Sequence, residues 1–150
     1  MNTYLTSPSL RRLVGDEPSG LLRLALRLDA VASGACGLLA LVAGHLLADL
    51  LGTPPSLLGP VGLFLVIYAA ALVAIAARRQ VSLPAAWTVI VFNLLWAVAS
   101  LAVVIGGWLP LTGLGVAAVL AQAVAVTLLA DLQFLGVRRV QVAIGLPKTS

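Results

Sequence analysis

The stretch Ala30 to Leu47, AVASGACGLLALVAGHLL, decides how this chain is read. It carries no fixed charge and is seeded with Ala, Ser, Cys and Gly. As a helix, a run of this length nearly crosses the roughly 30 Å hydrocarbon core of a bilayer. Its small residues suit a helix that packs closely on others, because backbones approach where side chains are short. Three more apolar runs follow, which places the expected spans at about 24–47, 61–77, 85–105 and 111–135. In lipid every backbone N–H and C=O must find a partner within the protein, so the runs are read as helices.

Composition points the same way. Of the 150 residues, 61% are apolar and 9% charged, and the mean hydropathy is +1.13. Soluble domains carry about a quarter charged residues, so lipid is the solvent that suits this chain. The net charge of +4 would suggest nucleic acid if the basic residues formed one patch. Instead they punctuate the apolar runs. Arg11, Arg12, Arg23 and Arg27 lead into the first span, Arg78 and Arg79 separate the second from the third, and Arg138, Arg139 and Lys148 follow the fourth. None falls within 48–60 or 106–110. By the positive-inside rule both termini are expected in the cytoplasm, with Trp87 and Trp108 as interfacial anchors. The expected fold is therefore all-α: four transmembrane helices in an up-down bundle, N-in and C-in, with no nucleic-acid partner. Heavy use of Ala, Leu, Val, Gly and Arg beside a single Lys fits a high-GC bacterium, hence a multi-pass protein of a bacterial inner membrane.

Three regions are expected: a polar cytoplasmic tail at 1–20, the four-span bundle at 21–139 and a short cytoplasmic tail at 140–150. The first tail lacks an apolar core ahead of a small-residue cleavage site, so no signal peptide is expected. Asp49 to Pro60, DLLGTPPSLLGP, breaks the first span from the second, with Pro54 and Pro55 barring a continuous helix and Gly52 and Gly59 as stop signals. Pro84 suits the first turn of the third helix. Gly106, Gly107 and Pro110 make the next turn. Each half of the chain closes on an arginine pair, Arg78–Arg79 and Arg138–Arg139, a faint internal repeat.

Polar residues inside the spans are the candidates for function. Asp29 and Asp131 stand at similar depth from the cytoplasmic ends of spans one and four, and intramembrane acids face a bundle interior, a cavity or a cation. Arg23 and Arg27 are near enough to Asp29 to serve as partners. Asn93, Trp96 and Ser100 form one stripe on span three; Gln122, Thr127 and Asp131 lie on span four, and Tyr68 near the middle of span two. Two uses are open. These groups can bond one another across helices as structural cross-links, Asn93, Trp96 and Gln122 above all. Alternatively Asp29, Ser33, Asn93, Gln122, Thr127 and Asp131 line a polar ligand site. Gly34, Gly37 and Gly44, with Trp96, are expected at helix-packing contacts. His45 and Asp49 form an i, i+4 pair at the outer end of span one.

Chemistry of other kinds is not expected. One Cys and one His allow no internal disulfide and no zinc site of ordinary composition. Phosphate-binding loops, helical His-Glu metal pairs and nucleophile elbows are absent from the sequence. No catalytic residue, metal or cofactor is therefore assigned.

The run Arg27-Leu28-Asp29-Ala30-Val31 with Gly34 and Gly37, the Leu51-Gly52-Thr53-Pro54 turn, Asn93-Leu94-Leu95-Trp96 and the Gln-bearing fourth span resemble a group of small four-helix integral membrane proteins. These are frequent in actinobacteria and other high-GC bacteria. The resemblance covers about 22–135 and implies a membrane location. Small multidrug transporters also have four spans and a carboxylate in the first, but here Asp29 lies near the membrane edge and their glutamate is missing. The expected role is a non-catalytic structural or accessory membrane subunit, working through a membrane protein partner or as a homo-oligomer. The alternative is a small oligomeric proton-coupled carrier of a small molecule or ion.

Overall fold

A computed structural model describes residues 17–145, and among them the regular structure is entirely helical. Five helices follow one another: α1 Gly20–Val42, α2 Gly44–Leu51, α3 Pro55–Ala77, α4 Leu83–Gly106 and α5 Gly113–Gly145. All but α2 are long and apolar enough to cross a membrane. Between 17% and 33% of each apolar window is buried inside the protein, so most of the apolar surface has to be covered from outside. Val42 and Ile105, for example, are exposed.

The helix ends follow local chemistry. Gly52 closes α2 in the left-handed region, at φ 73°, where a side chain would be strained and where a Cβ would strike the carbonyl oxygen of Pro110. The prolines expected to bar a continuous helix lie at the break between α2 and α3 and also open α3, since Pro54 is its N-cap and Pro55 its first residue. Gly59 therefore lies inside a helix and stops nothing. Pro60 lies inside the same helix, past its first turn, and removes the backbone donor that would reach Ser56. Ser82 caps α4 by accepting from the Ala85 N–H at 3.4 Å, with Pro84 in the first turn, and Gly107 ends that helix at φ 60°. Thr112 caps α5 through its hydroxyl, which accepts from the Gly115 N–H at 3.0 Å.

Helix bounds depart from the expected spans in three places. The first span is two helices, with the bend at Ala43 separating α1 from α2. The second begins at Pro55, six residues ahead of the expected Val61. The fourth runs through Arg138 and Arg139 to Gly145, so the segment read as the start of a tail, 140–145, is helical. The two arginine pairs are consequently not equivalent: Arg78 caps the end of α3, whereas Arg138 and Arg139 lie within α5. Expectations for 1–16 and 146–150, including Arg11, Arg12 and Lys148, lie outside the described residues.

α1 packs most extensively on α3, α4 on α5, and α1 also on α5. α3 and α4 meet through aromatic rings: Phe64 against Phe92 and Trp96, and Tyr68 against Phe92, with centroids 4.9–6.1 Å apart. The core gathers at one end. Leu22, Leu26 and Ala30 of α1 meet Leu72 and Ala76 of α3, Ala86, Val89 and Ile90 of α4, and Ala130 and Val137 of α5. This is also the end that carries the described arginines. Arg23 secures it: its guanidinium donates to the carbonyl oxygens of Ala76 at 2.7 Å, and of Arg78 and Arg79 at 2.5 Å each. Those carbonyls belong to the exit of α3, where helical partners run out. At the opposite end, the Thr112 N–H donates to Leu51 O at 3.0 Å and its hydroxyl to Leu50 O at 2.8 Å, tying α2 to the start of α5.

Candidate functional site

Three helices bring one polar group each to a common point. Asp29 of α1 faces inward on the stripe of Leu22 and Leu26, and it is fully buried. Asn93 of α4 and Gln133 of α5 are equally enclosed, at 2% and 0% exposure. One oxygen of Asp29, Oδ2, accepts from Asn93 Nδ2 at 2.7 Å and from Gln133 Nε2 at 2.8 Å. The other, Oδ1, accepts from the Ser33 hydroxyl one turn along α1, at 3.1 Å. Asn93 Nδ2 also donates to Gln133 Oε1 at 3.3 Å, and Tyr68 of α3 donates its hydroxyl to Asn93 Oδ1 at 3.1 Å. All four long helices thus enter one hydrogen-bonded network, with Asp29 at its centre and acting only as an acceptor.

Burial gives the network its character. A residue with no accessible surface borders neither bulk solvent nor an internal space large enough for a water molecule. Buried polar groups without partners cost free energy, and here each is answered by another side chain. Among the described residues, the buried side-chain polar atom left without a partner is Thr53 Oγ1, in the turn after α2 and away from this cluster.

Of the expected ligand residues, Asp29, Ser33 and Asn93 come together, and the other three do not. Asp131 is exposed, on the opposite side of α5 from Gln133, because two helical residues differ by about 200°. Gln122 shares the Gln133 stripe but lies eleven residues, about 16 Å, further along α5. Thr127 turns its hydroxyl back to Ala123 O at 2.8 Å and lines a groove between α4 and α5. Arg23 does not partner Asp29, since it is committed to the exit of α3, and Arg27 is exposed on the far side of α1. Trp96 stacks on Phe64, 6.1 Å between centroids and 8° between planes, instead of cross-linking through its indole nitrogen. Ser100 donates to the Trp96 carbonyl at 2.8 Å.

The packing glycines divide too. Gly37 crosses Gly62 so tightly that a Cβ on it would stand 2.7 Å from Gly62 O; a Cβ at Gly34 would be 3.3 Å from Ala69 Cβ, and one at Gly44 no nearer than 3.8 Å to Leu58. His45 and Asp49 are both exposed on α2. No group of three His, Cys, Asp or Glu side chains among the described residues could hold a metal ion.

Sequence reasoning missed Gln133. A signal for it exists in the chain: Gln133 stands five residues before Arg138, near the depth of Asp29, on the face that carries Ala130 and Val137.

These features define a class, a helical multi-pass membrane protein whose spans are joined by a buried polar network. Beyond the class, no family model, curated protein or solved structure matches the chain.

Proposed function

We propose that this chain is a non-catalytic structural or accessory subunit of a bacterial inner membrane, an up-down four-span bundle with both termini in the cytoplasm. One observation carries the reading: the Asp29 carboxyl group, the most chemically capable group within the spans, is spent on Asn93, Gln133 and Ser33 and borders no water-sized space. A proton-coupled carrier needs its acid to meet water during the cycle, and would bring Asp29 and Asp131 to one cavity. The two acids instead face different surroundings, one sealed and one outward. Interhelical side-chain bonds average below about 1 kcal/mol in membranes. A network of this size therefore fixes helix register more than it drives assembly. The orientation rests on the positive-inside distribution of Arg and Lys.

Native mass spectrometry of the protein released from mild detergent tests this. The expected spectrum holds copies of the chain, alone or with a second protein, and no stoichiometric non-lipid small molecule. A defined small molecule retained at fixed stoichiometry would overturn the reading in favour of a carrier.

A further inference from the structure

Asp131 is the feature that the buried network leaves unexplained. It is exposed on α5, seven residues before Arg138, where intramembrane acids ordinarily turn inward or meet a cation. Along the same stripe, spaced by three or four residues, lie Val124, Thr127, Leu128 and Leu135. Val124, Thr127 and Leu128, with Leu120, form one wall of an apolar groove of about 420 Å³ whose other wall is Ala97 and Leu101 of α4. In lipid such a groove alone signifies little, since acyl chains can fill it. An acid at its end is different, because acyl chains offer nothing to a carboxylate. None of the side-chain hydrogen bonds among the described residues reaches Asp131, and the nearest cation along the stripe, Arg138, lies 5.8 Å over the Phe134 ring.

A cation at the right depth exists on this chain, facing the wrong way to serve its own copy. Arg27 is exposed on α1 and is the described arginine placed furthest into the spans. It lies two residues from Asp29, as Asp131 lies two residues from Gln133, and Asp29 and Gln133 are hydrogen-bonded at one level. The two charges therefore differ in depth by about 6 Å, within the reach of an arginine side chain. Two residues also turn a helix by about 200°, so each points away from the shared network and from the other. Above Arg27, Val31, Ala35, Leu38 and Val42 continue an exposed stripe of α1.

We propose that the chain self-associates head to tail, with α1 of one copy seated in the α4–α5 groove of the next and Arg27 paired with Asp131. The surfaces differ, so the contact is heterologous and repeats around the membrane normal, into a ring where the rotation closes. The proposal rests on the structural-subunit reading and names its partner as a second copy.

The test uses the full chain in native membranes, with Cys36→Ala removing the natural thiol and Ala35→Cys and Leu128→Cys placing thiols at matching depth. Oxidation is expected to yield disulfide-linked dimers and higher ladders. Asp131→Arg, and the milder Asp131→Asn, should lower the cross-linked fraction severalfold. Arg27→Asp combined with Asp131→Arg should restore it, which a merely misfolded variant would not do. Equal cross-linking with and without the Asp131 changes, or failure of the double reversal in helical, monodisperse protein, overturns the pairing. A natural chain found only as a monomer bound to a different protein overturns self-association and leaves the subunit reading standing. A stoichiometric small molecule overturns that reading itself.

Discussion

Asp29 shows how one residue couples four helices. Its Oδ2 takes both amide donors, so loss of either leaves a buried polar group short of a partner. Asn93→Leu should therefore destabilise the fold by about 1–3 kcal/mol, the usual cost of orphaning a buried group. Converting the whole buried set, Asp29→Leu with Asn93→Leu and Gln133→Leu, should recover part of the loss, because no buried amide or carboxylate is then left unpaired. Tyr68→Phe removes only the bond to Asn93 Oδ1 from a half-buried ring and should cost less, about 0.5–1.5 kcal/mol. Reversible unfolding in mixed detergent ranks the variants. A triple variant worse than Asn93→Leu alone would mean that these residues contribute through something other than their mutual hydrogen bonds.

At the scale of elements, two contacts set how the helices meet. The Gly37–Gly62 crossing lets α1 and α3 touch backbone to backbone, and Gly37→Leu would force them apart. Overpacking of this kind costs about 1–3 kcal/mol, whereas in Gly44→Ala the added Cβ meets only ordinary contact with Leu58 and should be mild. A larger loss at Gly44 than at Gly37, in the same unfolding assay, would refute the assignment of the crossing. Arg23 closes α3 with both terminal nitrogens at once, on Ala76, Arg78 and Arg79. Lysine offers a point charge in place of this fork. Arg23→Lys should accordingly raise hydrogen exchange in 75–82 while leaving 97–106 unchanged, and uniform change across both would point to a global effect. The sequence made the existence of these elements plain, because charge-free apolar runs bounded by Gly, Pro and Arg have few other readings. Their ends were less legible: Pro54-Pro55 can stop one helix or start another, and here the same pair follows the end of α2 and opens α3. The same limit hid Gln133. Asp131 and Gln133 are both polar and at similar depth, and the rotation of α5 about its axis, fixed by Leu22 packed on Gly136, selects which of them faces in.

Across the whole molecule, the large buried side chains are distributed unevenly along the bundle axis. The arginine-bearing end holds the large buried side chains Leu22, Leu26, Leu72 and Val137, the polar network and the Arg23 closure. Beyond the network toward the other end, α4 and α5 flank an open groove lined by Ala97, Leu101, Leu120 and Val124. Local opening follows low contact density and exposed backbone bonds, so the groove end should open first and the arginine-bearing end last. Hydrogen exchange of the detergent-solubilised chain can read this gradient directly. Amides of 22–33, 70–77, 86–93 and 130–137 should be protected beyond those of 98–106 and 113–122, although both groups lie within regular helices. Asn93→Leu should flatten the gradient by weakening the protected end, and Thr112→Ala, which removes the hydroxyl bond to α2 and the cap of α5 but keeps the backbone bond to Leu51, should steepen it by loosening the other. Equal protection along all four long helices would show that they open as one unit, and that the polar network confers register without concentrating stability.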